Sequence, residues 1–130
     1  MHNRWMAAAG LAGFLGVATG AFGAHGLKEA VSPELLAIFK TGSHYCQVHA
    51  VVLLIVGLVS DRNPSAIVER TGWLLSIGTL IFSGSLWLLV LTNVRWLGAI
   101  TPIGGACLLL GWLHLGWIGL RKPEKEAEIP

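Results

Sequence analysis

Charged residues are scarce in this sequence, and their scarcity limits the classes of protein to which it can belong. Asp, Glu, Lys and Arg together make up 12% of the 130 residues, about half of the roughly 25% that is usual in soluble domains. Hydrophobic residues make up 54%, and the mean hydropathy is +0.67. A small soluble domain needs a large polar surface, because surface outgrows volume at this size. The composition therefore excludes an ordinary soluble domain and predicts a single integral membrane domain.

The sequence also lacks the patterns that mark several functional classes. The net charge is only +2, without a basic stripe, so nucleic acid is not expected as a partner. Cys46 and Cys107 lie in separate apolar stretches and form no Cys-x-x-Cys pair. We interpret both as small buried apolar residues, with a disulfide between them as the alternative. No His-Glu-x-x-His motif and no intramembrane carboxylate is present, so no catalytic residue, metal site or cofactor is predicted.

What the sequence does contain is four long apolar stretches, each close to the roughly 20 residues that cross about 30 Å of hydrocarbon. The predicted fold class is all-α, an integral membrane four-helix bundle over residues 1–120 with a charged cytoplasmic tail over residues 121–130. The apolar part of the second stretch is short, but Ser32 is a good N-cap and Pro33 suits a first helical turn. That helix is therefore extended back to Pro33. The predicted helices span about residues 5–24, 33–60, 73–91 and 97–120.

A proline marks the start of the fourth helix. Thr101-Pro102 comes early in the fourth apolar stretch, and proline is tolerated in the first turn of a helix but not in its interior. The regular helix is therefore expected to begin near Thr101, with residues 96–100 as an interfacial entry.

The distribution of Lys and Arg predicts the orientation, because cytoplasmic loops carry an excess of both. The N-terminus, the 61–72 loop and the C-terminus carry six of these residues, whereas the 25–44 and 92–96 loops carry three. Both termini are therefore expected in the cytoplasm. The alternative for the first stretch is a signal peptide cleaved between Ala18 and Ala24, although the stretch is long for a signal core.

Glycines give the first helix a smooth face. Inside a membrane, helices associate through close backbone approach and interhelical hydrogen bonds, because lipid tails are as apolar as leucine. Four glycines of the first helix recur at spacings of three, four and three, which places them within an arc of about 80°. We interpret them as a helix-packing face, with glycines of the fourth stretch as partners; the alternative is that glycine is merely common in membrane helices. The packing residues are Gly13, Gly16, Gly20 and Gly23, and the proposed partners are Gly104, Gly105 and Gly111.

The second helix carries a polar ridge. Thr41, Tyr45 and His49 are spaced four residues apart, so they lie on one side of the helix. His49 lies roughly 6 Å below the start of the apolar run, a depth at which an ionisable side chain is expected to face protein or water. We favour a neutral histidine that hydrogen-bonds two helices. The alternatives are a proton-relay or ligand-binding group, and a metal ligand.

Polar residues from four segments are predicted to share one half of the membrane. His25 lies between glycines that permit a tight turn, which either aims its ring over the bundle or makes it an interfacial cap. Ser and Thr side chains can instead bond the carbonyls of their own helix. We predict a hydrogen-bonded cluster on the non-cytoplasmic side, lining a shallow cavity there as an alternative. Its members are His25, Thr41, Tyr45, His49, Ser85 and Thr101.

Four short motifs in this order resemble those of a known family. They are Gly20–Leu27 (GAFGAHGL), Thr41-Gly42 with Tyr45 and His49-Ala50, Ser83–Leu86 (SGSL), and Thr101–Gly105 (TPIGG). Together they resemble the YgdD/YwdK-like family of small membrane proteins, also described as domain of unknown function 423. The resemblance spans about residues 10–120 and implies a multi-pass four-helix domain in a bacterial inner (plasma) membrane. It implies no reaction and supplies no catalytic residue.

Two functional hypotheses follow. The first is a non-enzymatic structural or accessory subunit of a membrane assembly, in contact with the lipid bilayer and with other membrane-protein subunits or further copies of itself. Its expected contact surfaces are the glycine face and the surface part of the helix after Ser32. The second is a protein that binds or transports a small ligand, a lipid or protons at the polar cluster. An enzyme is not expected.

Overall fold

A computed structural model describes residues 2–121, and these residues form four long helices and no strand. Each long helix is long and apolar enough to cross a membrane, the last together with a short 3-10 helix, Arg95–Ala99, that precedes it. The predicted all-α, four-helix membrane fold is confirmed. The predicted tail lies outside the described residues except for Arg121. The helices are α1 (Arg4–Ala24), α2 (Pro33–Arg62), α3 (Ala66–Thr92) and α4 (Thr101–Leu120).

Side-chain caps fix where the first two helices begin. The Asn3 side chain accepts hydrogen bonds from the backbone N–H groups of Trp5 and Met6, and the Ser32 side chain accepts one from Leu35 at the start of α2. These caps satisfy N–H groups that have no partner within the helix. With 30 residues, α2 is about 45 Å long, longer than the hydrocarbon layer, so it extends beyond the apolar layer.

The third helix begins earlier than its hydropathy indicates. Residue 73 was the expected start, but α3 begins at Ala66 with Ser65 as its N-cap. Glu69 and Arg70 make the first turns too polar to be recognised as a membrane span, although both residues are compatible with a helix. The helix ends at Thr92, and its C-cap Asn93 has a left-handed φ of 56°, which suits a helix C-terminus.

The helices pack in chain order. Helix α1 lies against α2, α2 against α3, and α3 against α4. Accordingly α2 and α3 contain ten buried residues each, whereas α1 contains four and α4 three. The two outer helices thus turn most of their surface away from the bundle. The end at which α1 begins and α4 ends is called the terminal end below, and the other end is called the opposite end.

The glycine face of α1 packs against α2. A Cβ atom at Gly16 would lie 2.7 Å from Cγ of Gln47, and one at Gly23 would lie 3.2 Å from the Phe39 ring. Gly13 and Gly20 face the same helix, through Ala50 and Gln47 respectively. Side chains at these positions would hold the two helices apart, so the glycines permit their close approach.

The partner that we expected for this face is wrong. A Cβ atom at Gly104 would lie 2.5 Å from the backbone nitrogen of Phe82, and one at Gly111 would lie 2.6 Å from Leu75. Gly105 likewise lies beside Phe82. The glycines of α4 therefore serve a separate contact with α3, because each helix packs beside its neighbour in the chain.

Candidate functional site

His49 is the most enclosed of the predicted site residues and faces the interior of the bundle. Its side chain is 4% exposed. Nε2 lies 3.1 Å from Nε1 of Trp112 in α4, and an indole nitrogen can only donate a hydrogen bond. Nε2 therefore accepts, and Nδ1, 2.7 Å from the Tyr45 carbonyl oxygen, carries the proton and donates. Both ring nitrogens are therefore hydrogen-bonded. The bond to Trp112 joins two helices, as expected for a neutral histidine in this position.

Tyr45 packs its ring between His49 and α3. Its ring centroid lies 4.4 Å from that of Phe82, with an angle of 28° between the planes. It also stacks on the ring of His49, with centroids 6.0 Å apart. Trp112 approaches His49 edge-on, with centroids 6.1 Å apart and planes at 73°. Four aromatic rings from three helices therefore form one group.

Ser85 and Thr101 form a second, separate group. Their side-chain oxygens lie 2.7 Å apart, so one hydroxyl donates to the other across α3 and α4. Ser85 Oγ also lies 3.0 Å from the Phe82 carbonyl oxygen. This pair tethers the first turn of α4, which has no side-chain cap of its own.

Two predicted members do not join either group. Thr41 is exposed and donates to the carbonyl of Ala37 in its own helix. His25 is exposed at the C-cap of α1, where its backbone N–H bonds the Ala21 carbonyl. The expectation of one shared cluster is therefore wrong: Tyr45 and His49 form one group, Ser85 and Thr101 another, and Thr41 and His25 join neither. Thr41 lies eight residues, about 12 Å along the helix axis, from His49.

A hydroxyl network that the sequence analysis missed joins α1, α2 and α3. Ser43 Oγ lies 2.8 Å from Oγ1 of Thr19, and the indole N–H of Trp87 donates to Ser43 over 3.3 Å. One turn of α3 away, the Ser83 hydroxyl donates to the Gly42 carbonyl over 2.7 Å. Ser43 and Ser83 are buried, with 2% and 1% exposure. The network joins α2 to α1 on one side and to α3 on the other.

Two further hydrogen bonds reach carbonyls of the first helix. The Gln47 amide donates to the Gly16 carbonyl over 2.8 Å, and the Cys46 thiol lies 3.2 Å from the Ala12 carbonyl. Ser43 and Gln47 are four residues apart and thus share one side of α2. The sequence did contain a signal for these hydrogen bonds. The spacing places two polar side chains on one side of α2, and the glycine face of α1 leaves its carbonyl groups accessible to them. Cys46 and Cys107 are both free, so the alternative of a disulfide is not realised.

Another polar group holds the terminal end together. The Asn3 amide donates to the Gly57 carbonyl over 2.9 Å. The indole N–H of Trp5 donates to Glu69 over 3.2 Å, and a guanidinium nitrogen of Arg4 lies 3.5 Å from the same carboxylate. The start of α1 is thereby joined to both α2 and α3. Nothing in the sequence pattern identified these partners, which are more than 50 residues apart.

Most of the buried polar atoms in these groups have a hydrogen-bond partner within the protein. Within residues 2–121 no group of three or more His, Cys, Asp or Glu side chains is placed to hold a metal ion. Polar side chains in hydrocarbon are costly unless they are paired. The arrangement described here uses them to join helices.

Comparison with known proteins gives a consistent result. Residues 19–105 match the family model described as Protein of unknown function (DUF423). A UPF0382 membrane protein of Staphylococcus epidermidis is 48% identical over 101 residues, covering 78% of this chain and 82% of its own length. The UPF0382 membrane protein YwdK of Bacillus subtilis is 40% identical over 102 residues, covering 78% and 83%. No solved structure matches.

Proposed function

This chain belongs to the DUF423 family of multi-pass bacterial membrane proteins, as the resemblance of its motifs indicated, and from that premise we propose that it is a non-enzymatic accessory protein of a membrane assembly. In this proposal the protein acts by packing an outer helix against other membrane-protein subunits or against further copies of itself. The family has no established biochemical function, so the support comes from the structure of this chain.

The use of the intramembrane polar side chains supports this proposal. His49 has both nitrogens engaged, and Ser85 and Thr101 are paired. A ligand that bound at these groups would have to break interhelical hydrogen bonds first. The hypothesis of a small-ligand or proton site at this cluster therefore receives no specific support.

The outer face of α4 is the observation that carries the proposal. Only Gly104, Leu108 and Gly111 are buried among its 20 residues. At Gly116 and Gly119, three residues apart, a Cβ atom would meet nothing within 4 Å. Exposed small residues on a membrane helix leave backbone open to the close approach of another helix. The glycine face of α1, which we expected to serve partners, is instead covered by α2.

Large side chains flank these open glycines. Leu113 is 69% exposed, Trp117 58% and Leu120 81%. A partner helix seated over Gly116 and Gly119 would pack against these side chains, which combines close backbone approach with large contact area. The surface proposed for association is therefore the part of α4 from Leu113 to Leu120.

The proposal is tested by extracting the protein from its own membrane into polymer nanodiscs and measuring its assembly by native mass spectrometry. Wild-type protein is expected in a complex with another membrane protein or with further copies. The double variant Gly116→Leu, Gly119→Leu is expected to lose that complex. Gly84→Leu is the matched control, because Gly84 on α3 also has nothing within 4 Å of an added Cβ. A wild-type chain that is extracted alone contradicts the proposal, as does a complex that survives the double variant.

A further inference from the structure

A cleft opens between α3 and α4 near the terminal end. Its volume is about 310 Å³, at the lower end of the range for small-molecule sites. The α3–α4 cleft, as it is called below, is open at the surface of the protein. It is lined by Arg70, Trp73, Leu74, Ile77, Cys107 and His114.

The surface that lines the α3–α4 cleft is apolar, and the exposed Arg70 lies in its wall. Arg70 lies in the first turns of α3, where the helix leaves the membrane surface. Ile77 lies seven residues further along, about 10 Å deeper at 1.5 Å per residue. On α4, His114 and Cys107 are also seven residues apart, with Cys107 the deeper of the two. The cleft therefore runs inward from the headgroup layer between two helices.

Arg70 is an exposed cation in the wall of this cleft. Within residues 2–121 the salt bridge is between Arg4 and Glu69, and Arg70 takes no part in it. A cation at the membrane surface above an apolar cleft fits a ligand that is anionic at one end and apolar at the other.

We propose that the α3–α4 cleft binds an anionic phospholipid, with the lipid phosphate on the Arg70 guanidinium and one acyl chain between α3 and α4. The chain lies over Trp73, Ile77 and Cys107. Because Arg binds phosphate with two parallel N–H donors, it positions the headgroup as well as attracting it.

The charge requirement is tested by native mass spectrometry of the detergent-solubilised protein with added phosphatidylglycerol or phosphatidylethanolamine. Wild-type protein is expected to bind phosphatidylglycerol more tightly. Arg70→Gln is expected to weaken phosphatidylglycerol binding about fivefold and to weaken binding of the zwitterionic phosphatidylethanolamine less. Arg62→Gln is the matched control, because it removes an exposed cation at the same end of the bundle, outside the cleft. Equal losses in the two variants, or equal binding of the two lipids, would overturn the proposal.

The requirement for an acyl chain is tested by filling the cleft. Ile77→Trp is expected to abolish tight binding of phosphatidylglycerol although Arg70 is retained. Leu80→Trp is its control, because Leu80 lies on α3 outside the cleft and is 71% exposed. Inorganic phosphate at millimolar concentration is expected not to displace the lipid. Lipid binding that persists in Ile77→Trp, or that free phosphate competes away, would show that no seated lipid is involved.

Discussion

The indole N–H of Trp112 donates to Nε2 of His49 over 3.1 Å, and this hydrogen bond joins α4 to α2. The two helices otherwise have few contacts, because each packs mainly beside its neighbours in the chain. This side-chain pair therefore adds a link to α2 for an outer helix that otherwise packs on α3. The pair lies in the membrane, where neither residue has water as an alternative partner.

Removing either partner of this hydrogen bond should destabilise the bundle by a similar, modest amount. We expect His49→Phe to lower the free energy of unfolding by roughly 1 kcal/mol, the scale of interhelical hydrogen bonds in membranes. Trp112→Phe should cost a comparable amount, since it keeps a ring but removes the donor. The measurement is reversible unfolding in mixed micelles of mild detergent and sodium dodecyl sulfate.

The double variant separates this hydrogen bond from other effects of the two substitutions. If the bond accounts for both losses, His49→Phe with Trp112→Phe should cost less than the sum of the single variants. Strictly additive losses would mean that the two side chains stabilise the protein independently.

Close approach between α1 and α2 should depend on Gly16 and not on Gly10. A Cβ atom at Gly16 would lie 2.7 Å from Cγ and 3.0 Å from the backbone nitrogen of Gln47, so Gly16→Ala must push α2 away and strain the Gln47 hydrogen bond. Overpacking of this kind costs about 1–3 kcal/mol. At Gly10 nothing lies within 4 Å, and Gly10→Ala should be neutral or stabilising by up to about 1 kcal/mol. Unfolding in mixed micelles measures both, and equal effects would refute the close contact.

The membrane fold was predictable from composition, but the partners of individual side chains were not. Hydropathy identifies four helices because each must be apolar for about 20 residues. It placed the start of α3 too late because Glu69 and Arg70 lie at the membrane surface, where a helix can contain charged residues. Caps such as Ser65 are local signals, and they locate that boundary better than hydropathy does.

Helix pairing depends on contacts between distant residues, and for this reason it was harder to predict. A glycine face says that some helix comes near but not which one, so Gly16 alone cannot distinguish α2 from α4. His49 was correctly expected to face inward, because burial of its ring follows from the cost of exposing it to lipid. Its donor, Trp112, was not identified, since tryptophans in membrane proteins are also common where they contact lipid.

The two cysteines should differ in their accessibility to thiol reagents. Cys46 is 3% exposed and lies under α1, with its thiol on the Ala12 carbonyl, whereas Cys107 is half-buried in the wall of the α3–α4 cleft. We expect N-ethylmaleimide, which enters membranes, to modify Cys107 before Cys46 in the folded protein. Peptide mass spectrometry measures the order, and denatured protein provides the control in which both react. Preferential modification of Cys46 would contradict the packing of α1 on α2.

The orientation of the bundle remains a prediction, and two exposed loop positions decide it. Lys28 lies in the turn after α1 and Asn63 in the turn after α2, and both are exposed. The excess of Lys and Arg at the terminal end predicts that this end faces the cytoplasm. In a background of Cys46→Ala and Cys107→Ala, a membrane-impermeant maleimide added to intact cells should therefore label Lys28→Cys. It should label Asn63→Cys only after the cells are permeabilised. The reverse pattern would place both termini outside and would move the lipid proposed at Arg70 to the outer leaflet.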